Sequence, residues 1–262
     1  QVVWEDDVEG DEPMQAQAVC VVDVTAHLQG KKEATVAFQG LERRGVSNMG
    51  VKITFGSPAL VPGPFDLTSQ RGEVPGSTAL SPTEALTIFV EFDLGAVGSR
   101  QALFDKAPPH QYFGFVHEDG SIVAGIFSNG KEQSVKGTTP LAPGPHWAAF
   151  VYDGQKMLLV VDGREDSGRE FAGRIDAAAG NFHLGQYSGG SLPLEGRIRA
   201  AAAWGRALST SDLQDAAGGR PPVAGLSGAW RLDEEGIWQA PNRVEGGETC
   251  TVYREYAPHK GQ

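Results

Sequence analysis

Apolar positions along this chain recur with a period of two, in short runs broken by turn residues. Val51 to Phe55 reads Val-Lys-Ile-Thr-Phe, the alternation of a half-buried strand. Leu86 to Leu94, LTIFVEFDL, is longer and predicts a central strand with Phe89, Glu91 and Asp93 on one side. Val19 to Val24 and Ala34 to Phe38 precede these, and Gln101 to Phe104, Tyr112 to His117 and Ile122 to Phe127 come after. Asp119-Gly120 and Asn129-Gly130 mark turns between them. Pro58 to Pro64 and Pro140 to Pro145 are stiff proline-rich loops. The densest pattern begins at Pro145. Trp147 to Tyr152 and Met157 to Val161 are two apolar runs joined at Asp153-Gly154, which predicts a β-hairpin, and Asp162-Gly163 closes the next turn.

A helical pattern stands out at one place, Ser209 to Ala216. Ser209 is an N-cap residue, Asp212 three positions on completes a capping box, and Gly218-Gly219 with Pro221-Pro222 ends the run. Thr249 to Tyr253 reads as a closing strand. Many short strands with almost no helix predict an antiparallel β-sandwich.

The order of motifs between Trp147 and Ser209 resembles the laminin-G-like jelly roll of the concanavalin A-like lectin/glucanase superfamily. The pieces are Trp147, Tyr152-Asp153-Gly154, Val161-Asp162-Gly163, Leu184-Gly185, Gly196-Arg197-Ile198 and Arg206-Ala207-Leu208-Ser209. They are turn and core residues, so they speak to fold. The resemblance implies an all-β, two-sheet jelly-roll sandwich with one short helix over residues 19–262, preceded by an acidic arm at 1–18. One departure is Trp230-Arg231-Leu232-Asp233-Glu234. A similar stretch precedes the jelly roll in many relatives and here comes after it, so it either shifts the strand order or fills an edge place.

Two cysteines, Cys20 and Cys250, lie near opposite ends. In a jelly roll the first and last strands are neighbours, so the resemblance implies a Cys20–Cys250 disulfide and an oxidising, extracellular or cell-surface location. The chain opens without a basic segment or an apolar signal core, as expected of a mature secreted protein. The formal net charge is -11. An acidic surface argues against nucleic acid as a partner, and no run is long and apolar enough for membrane insertion. Glu5, Asp6, Asp7, Glu9, Asp11 and Glu12 crowd the first thirteen residues, where Val2, Val3 and Trp4 could dock the arm on a second copy.

Catalytic chemistry is thin. Retaining hydrolases of the resembled group carry E-x-D-x-x-E on one strand, and Glu91-Phe92-Asp93 is followed by Leu94, Gly95 and Ala96 without the second Glu. Lyase chemistry would need a proton abstractor such as His117 or Tyr112, with no matched partner motif. There is no G-x-S-x-G elbow. The six histidines have no zinc spacing. No catalytic residue is assigned. The resemblance allows one structural Ca²⁺, with Asp153, Asp162, Asp176 and Asp233 as candidate ligands. Sugar recognition needs an exposed ring beside polar groups. Tyr187 and Ser188 in the loop Gln186–Gly190, with His117 and Asp119 at another turn, are the candidates. Trp147, Trp204 and Trp230 read as core, and Trp238 stays ambiguous.

The functional expectation is a secreted or cell-surface, non-catalytic module that recognises a glycan or glycoprotein. Two other readings stay open. One is a structural subunit of an extracellular assembly joined through the N-terminal arm. The other is a carbohydrate-active enzyme, a glycoside hydrolase or polysaccharide lyase.

Overall fold

The computed structural model describes residues 65–233 and 239–258. The arm, the strands expected at Val19–Val24, Ala34–Phe38 and Val51–Phe55, and Cys20 and Trp238 lie outside the described residues. The described strands all belong to the compact unit 62–262.

Among the described residues fourteen strands succeed one another: β1 (Phe65–Val74), β2 (Leu86–Leu94), β3 (Gln101–Ala107), β4 (Tyr112–Val116), β5 (Ile122–Ser128), β6 (Lys131–Lys136), β7 (Gly144–Tyr152), β8 (Lys156–Val161), β9 (Arg164–Glu170), β10 (Asn181–Leu184), β11 (Gly196–Trp204), β12 (Leu226–Arg231), β13 (Gln239–Ala240) and β14 (Cys250–Pro258). Among the described residues one α-helix, α1 (Thr210–Ala217), sits between β11 and β12. Its cap is as expected: Ser209 Oγ accepts from Asp212 N, and the Asp212 carboxylate accepts from Ser209 N. Such a cap contributes about 1 kcal/mol.

The hydrogen-bonded order is β6-β5-β4-β3-β10-β1-β11-β2-β7-β8-β9, with β12 on β11 and with β14 on β1. β1 is the splice between two sheets. Its C-terminal part pairs antiparallel with β10, and Ser69 and Gln70 pair in parallel with Gly196 and Arg197 of β11. The first sheet is therefore β6-β5-β4-β3-β10-β1-β14, and the second is β12-β11-β2-β7-β8-β9. Their inward faces share one apolar core, with Val90, Phe92, Phe150 and Leu159 from the second sheet and Phe104, Tyr112, Ile126 and Phe182 from the first. β6 also approaches β8 and β9, closing the far side.

β1 reads FDLTSQRGEV and carries no alternation, which is why the sequence pattern does not reveal it. Its polar side chains work at the splice, where ladders end. Buried Gln70 donates from Nε2 to Ile198 O (2.9 Å) and Leu232 O (2.6 Å), and Ser69 Oγ donates to Leu194 O (3.2 Å). Gly72 leaves room there: a Cβ would lie 2.6 Å from Cys250 Sγ and 2.9 Å from Leu232 Cδ2, so both side chains would have to shift. β6 and β9, KEQSVK and REDSGRE, are polar for another reason: they are the two ends of the ladder, where charge discourages edge-to-edge pairing. The Trp230 segment pairs as β12 beside β11, with no second strand partner among the described residues.

The turns obey their residues. Asp162-Gly163 (φ 47° and 84°) and Asn129-Gly130 (φ 52° and 70°) both put two consecutive residues at positive φ, as a tight hairpin turn requires. Asp153-Gly154 differs. The loop includes Gln155, and Asp153 Oδ1 accepts from Gln155 N and Lys156 N.

Candidate functional site

The four residues proposed from the sequence fall into two separate places, and among the described residues no hydrogen bond or ring contact joins them. Tyr187 and Ser188 lie over the outward face of the first sheet. The Tyr187 ring meets Phe115 edge-on (centroids 6.4 Å apart) and His110 (5.9 Å), and His110 stacks on Phe127 (5.6 Å). Below them Phe113, Phe115 and Val123 are buried, and the Arg100 guanidinium covers the Phe115 ring at 4.4 Å. The Tyr187 loop is pinned by Asp105, a fully buried carboxylate that accepts from Ser188 N (2.9 Å) and faces His110 Nδ1 (2.8 Å). Burial, then the Asp105 charge, pushes the Tyr187 hydroxyl well above the usual phenol range. Tyr187 is thus half-packed over the first sheet. His117 and Asp119 sit at the β4–β5 turn. Asp119 accepts from Lys136 Nζ (2.7 Å) and from Ser121 N and Oγ, bonds that hold its carboxyl well below the usual range. Tyr112, raised as a proton abstractor, is fully buried and donates to Leu80 O, out of reach of any substrate.

The calcium candidates do not converge. Asp153 closes its own loop. Asp176 accepts from Asn129 N and Gly130 N (both 2.8 Å), Asp162 from Trp147 N (2.9 Å), and Asp233 holds Arg231 (2.7 Å). Among the described residues no three His, Cys, Asp or Glu side chains gather where one ion could be held. Cys250 is buried on β14, with its thiol pushed up to about 12 by that burial.

The second sheet offers a different arrangement on its outward face. Alternation along β2 sends Ile88, Val90 and Phe92 into the core and Phe89, Glu91 and Asp93 outward, as the sequence predicts. α1 covers one end of this face through Leu213 and Ala216, against Phe89 and Trp204. Beyond the helix a single row crosses the sheet: Arg231 opposite Ala200, Ala200 opposite Glu91, Glu91 opposite Trp147, and Trp147 bonded through its backbone to Asp162. A bulge between Ile198 and Ala200 leaves Arg199 without an opposite residue on β2, and its guanidinium reaches Asp93 (3.6 Å) and Asp233 (3.9 Å). Glu91, Pro145, His146, Trp147, Asp162 and Arg199 enclose an open hollow of about 280 Å³. A smaller one, about 40 Å³, lies on the helix side of Glu91.

Trp147 is half-buried, backed by Phe89 at 5.4 Å, and lines the hollow. His146 Nδ1 meets Asp162 Oδ2 (2.8 Å). Glu91 makes no hydrogen bond or ion pair with the described residues. Burial raises its carboxyl above the ordinary value, while the charges of Arg231 and Arg199 partly offset this. Sequence reasoning placed Glu91 and Asp93 on one side but treated Trp147 as core. The available signal was that Trp147 lies outside the inward set Ala148, Phe150 and Tyr152 of the same strand.

A laminin-G-type family model, described as the concanavalin A-like lectin/glucanases superfamily, matches residues 67–214, more than half of the chain. The chain belongs to this superfamily. Solved structures are similar to it over part of its length. A candidate carbohydrate-binding protein from Bacteroides ovatus is 13% identical with a TM-score of 0.57, covering 75% of this chain and 60% of its own. The CBM40 of the Ruminococcus gnavus IT-sialidase is 15% identical (TM-score 0.45; 57% of this chain, 94% of its own). Domains LG4-5 of the mouse laminin alpha1 chain are 14% identical (TM-score 0.40; 54% and 44%). This chain therefore spans about 60% of the length of the Bacteroides protein. No curated protein sequence matches it. Among the described residues no helix is long and apolar enough to cross a membrane.

Proposed function

We propose that this chain is a secreted or cell-surface, non-catalytic recognition module that binds a glycan or glycoprotein in the hollow on the outward face of the second sheet. The observation that carries the reading is the row Glu91–Trp147–Asp162 with Arg199 beside it. A partly exposed indole offers a flat surface for the C–H face of a pyranose, while carboxylates accept from its hydroxyls and a guanidinium donates. The paired-carboxylate machinery of a retaining glycosidase is not what this row supports, since Asp93 is committed to Arg197 and Arg199 and Ala96 stands where the second Glu would be.

A second surface fits the same function less well. At Tyr187 and Ser188 the rings of His110 and Tyr187 remain partly open to solvent, but the polar groups below are already bonded to each other. A glycan array, run with and without EDTA, tests the reading for both surfaces. The expected result is saccharide binding that survives EDTA, is lost in Trp147→Ala and persists in Tyr187→Ala. The opposite pattern moves the site to the first sheet, and no saccharide binding removes the reading.

A further inference from the structure

The charged groups around the hollow differ in one respect that sets what kind of sugar fits. Arg197 is paired with Asp93, Arg199 with Asp93 and Asp233, and Arg231 with Asp233. Asp162 takes His146 and the Trp147 amide. Glu91 is left over. It is half-buried, it faces the hollow from β2, and its carboxylate has no partner among the described residues. An ionised carboxylate only accepts hydrogen bonds, so the group that completes this site must donate. Hydroxyls and ammonium groups donate; carboxylates do not. An acidic sugar would set a further negative charge against Glu91 and Asp162, and the guanidinium that lines the hollow, Arg199, already faces Asp93 and Asp233. Like charges at such range are destabilising in a part-buried site. The indole of Trp147 favours the same ligands, since its face attracts C–H groups and cations. At about 280 Å³ the hollow is at the small end of ligand sites and suits one sugar residue rather than a long chain lying along it.

On the recognition-module reading, we propose that the hollow selects a neutral or amino sugar residue, whose hydroxyl or ammonium donors complete Glu91, and rejects uronic and sialic acids. Glu91 is the specificity-determining residue. Trp147 is the platform, and Arg199 supplies a donor to a ring or exocyclic oxygen from the edge.

The test has two parts on the full chain. An array of neutral, amino and acidic oligosaccharides gives the class, followed by calorimetric titration with chitosan trisaccharide and oligogalacturonate trisaccharide against wild type and Glu91→Gln. Wild type is expected to bind the amino sugar at least tenfold more tightly than the acidic one. Glu91→Gln keeps the shape and removes the charge, so it should weaken chitosan binding by about tenfold, the size of a lost charge-assisted bond. It should also narrow the gap to the acidic sugar. Equal or preferred binding of acidic sugars, still abolished by Trp147→Ala in a folded protein, overturns the selectivity and leaves the recognition module standing. An unchanged preference in Glu91→Gln also overturns it. An array with no saccharide bound overturns both.

Discussion

The outward faces of the two sheets use similar residues to opposite ends. On the first sheet, Phe113, Phe115, Phe127, His110 and Tyr187 pack on one another, and the charged group beneath them, Asp105, is fully buried with both its oxygens in use. On the second sheet an aromatic ring and a carboxylate again lie side by side, but Trp147 and Glu91 are only half-covered and Glu91 is unpartnered among the described residues. Aromatic and acidic content alone therefore does not identify a binding surface. A satisfied cluster stabilises the fold, whereas a carboxylate kept partly dry and unpaired is a cost that a ligand can remove.

The largest test of this contrast is Phe113→Ala. The ring is 3% exposed within the first-sheet cluster, so its loss should cost about 3–5 kcal/mol in a urea melt and leave saccharide affinity of the folded fraction unchanged. A lost affinity with intact stability would reverse the roles of the two faces. Trp147→Ala should do the converse. Affinity falls at least tenfold, and stability drops by about 1–2 kcal/mol because the ring is only half-buried. Trp147→Phe, with smaller losses in the same direction, guards against a folding artefact.

Glu91→Gln sharpens the comparison through pH. The folded state raises the Glu91 carboxyl above its ordinary 4.5, so the fold prefers the neutral acid. The stability linked to it is fully present below the unfolded value and is lost as pH rises through the raised folded value. The glutamine variant cannot ionise. It should therefore melt slightly higher than wild type at pH 7, by about 1–2 °C, and lose that advantage below pH ~4. Saccharide affinity of wild type should weaken as acid protonates Glu91, and that of the variant should not. A variant less stable than wild type at pH 7 would mean that Glu91 is a structural residue. The smallest effect belongs to Tyr187→Phe: within about 0.5 kcal/mol in stability and no change in affinity, if the ring serves only to cover Phe115.

Much of this molecule is legible in the chain itself. Period-two alternation over Leu86–Leu94 decides which residues enter the core, because a pleated strand can bury only every second side chain against one layer. The Asp162-Gly163 and Asn129-Gly130 turns and the Ser209 cap are equally local, each made by residues a few positions apart. Strands without an apolar rhythm escaped. β1 escaped because its role is to splice two sheets with polar side chains, and β6 and β9 because edges favour charge. The surroundings of the Tyr187 loop are hidden for a related reason. A ring outside a strand reads as exposed until the residues that meet it, His110 and Phe115, are known. The hollow belongs wholly to tertiary structure. Register places Glu91 between Ala200 and Trp147, a bulge turns Arg199 toward Asp93, and long-range pairing sets Arg197 and Arg199 against Asp93. The sequence holds all of these residues, but only the pairing of strands far apart in the chain decides which charge is left without a partner.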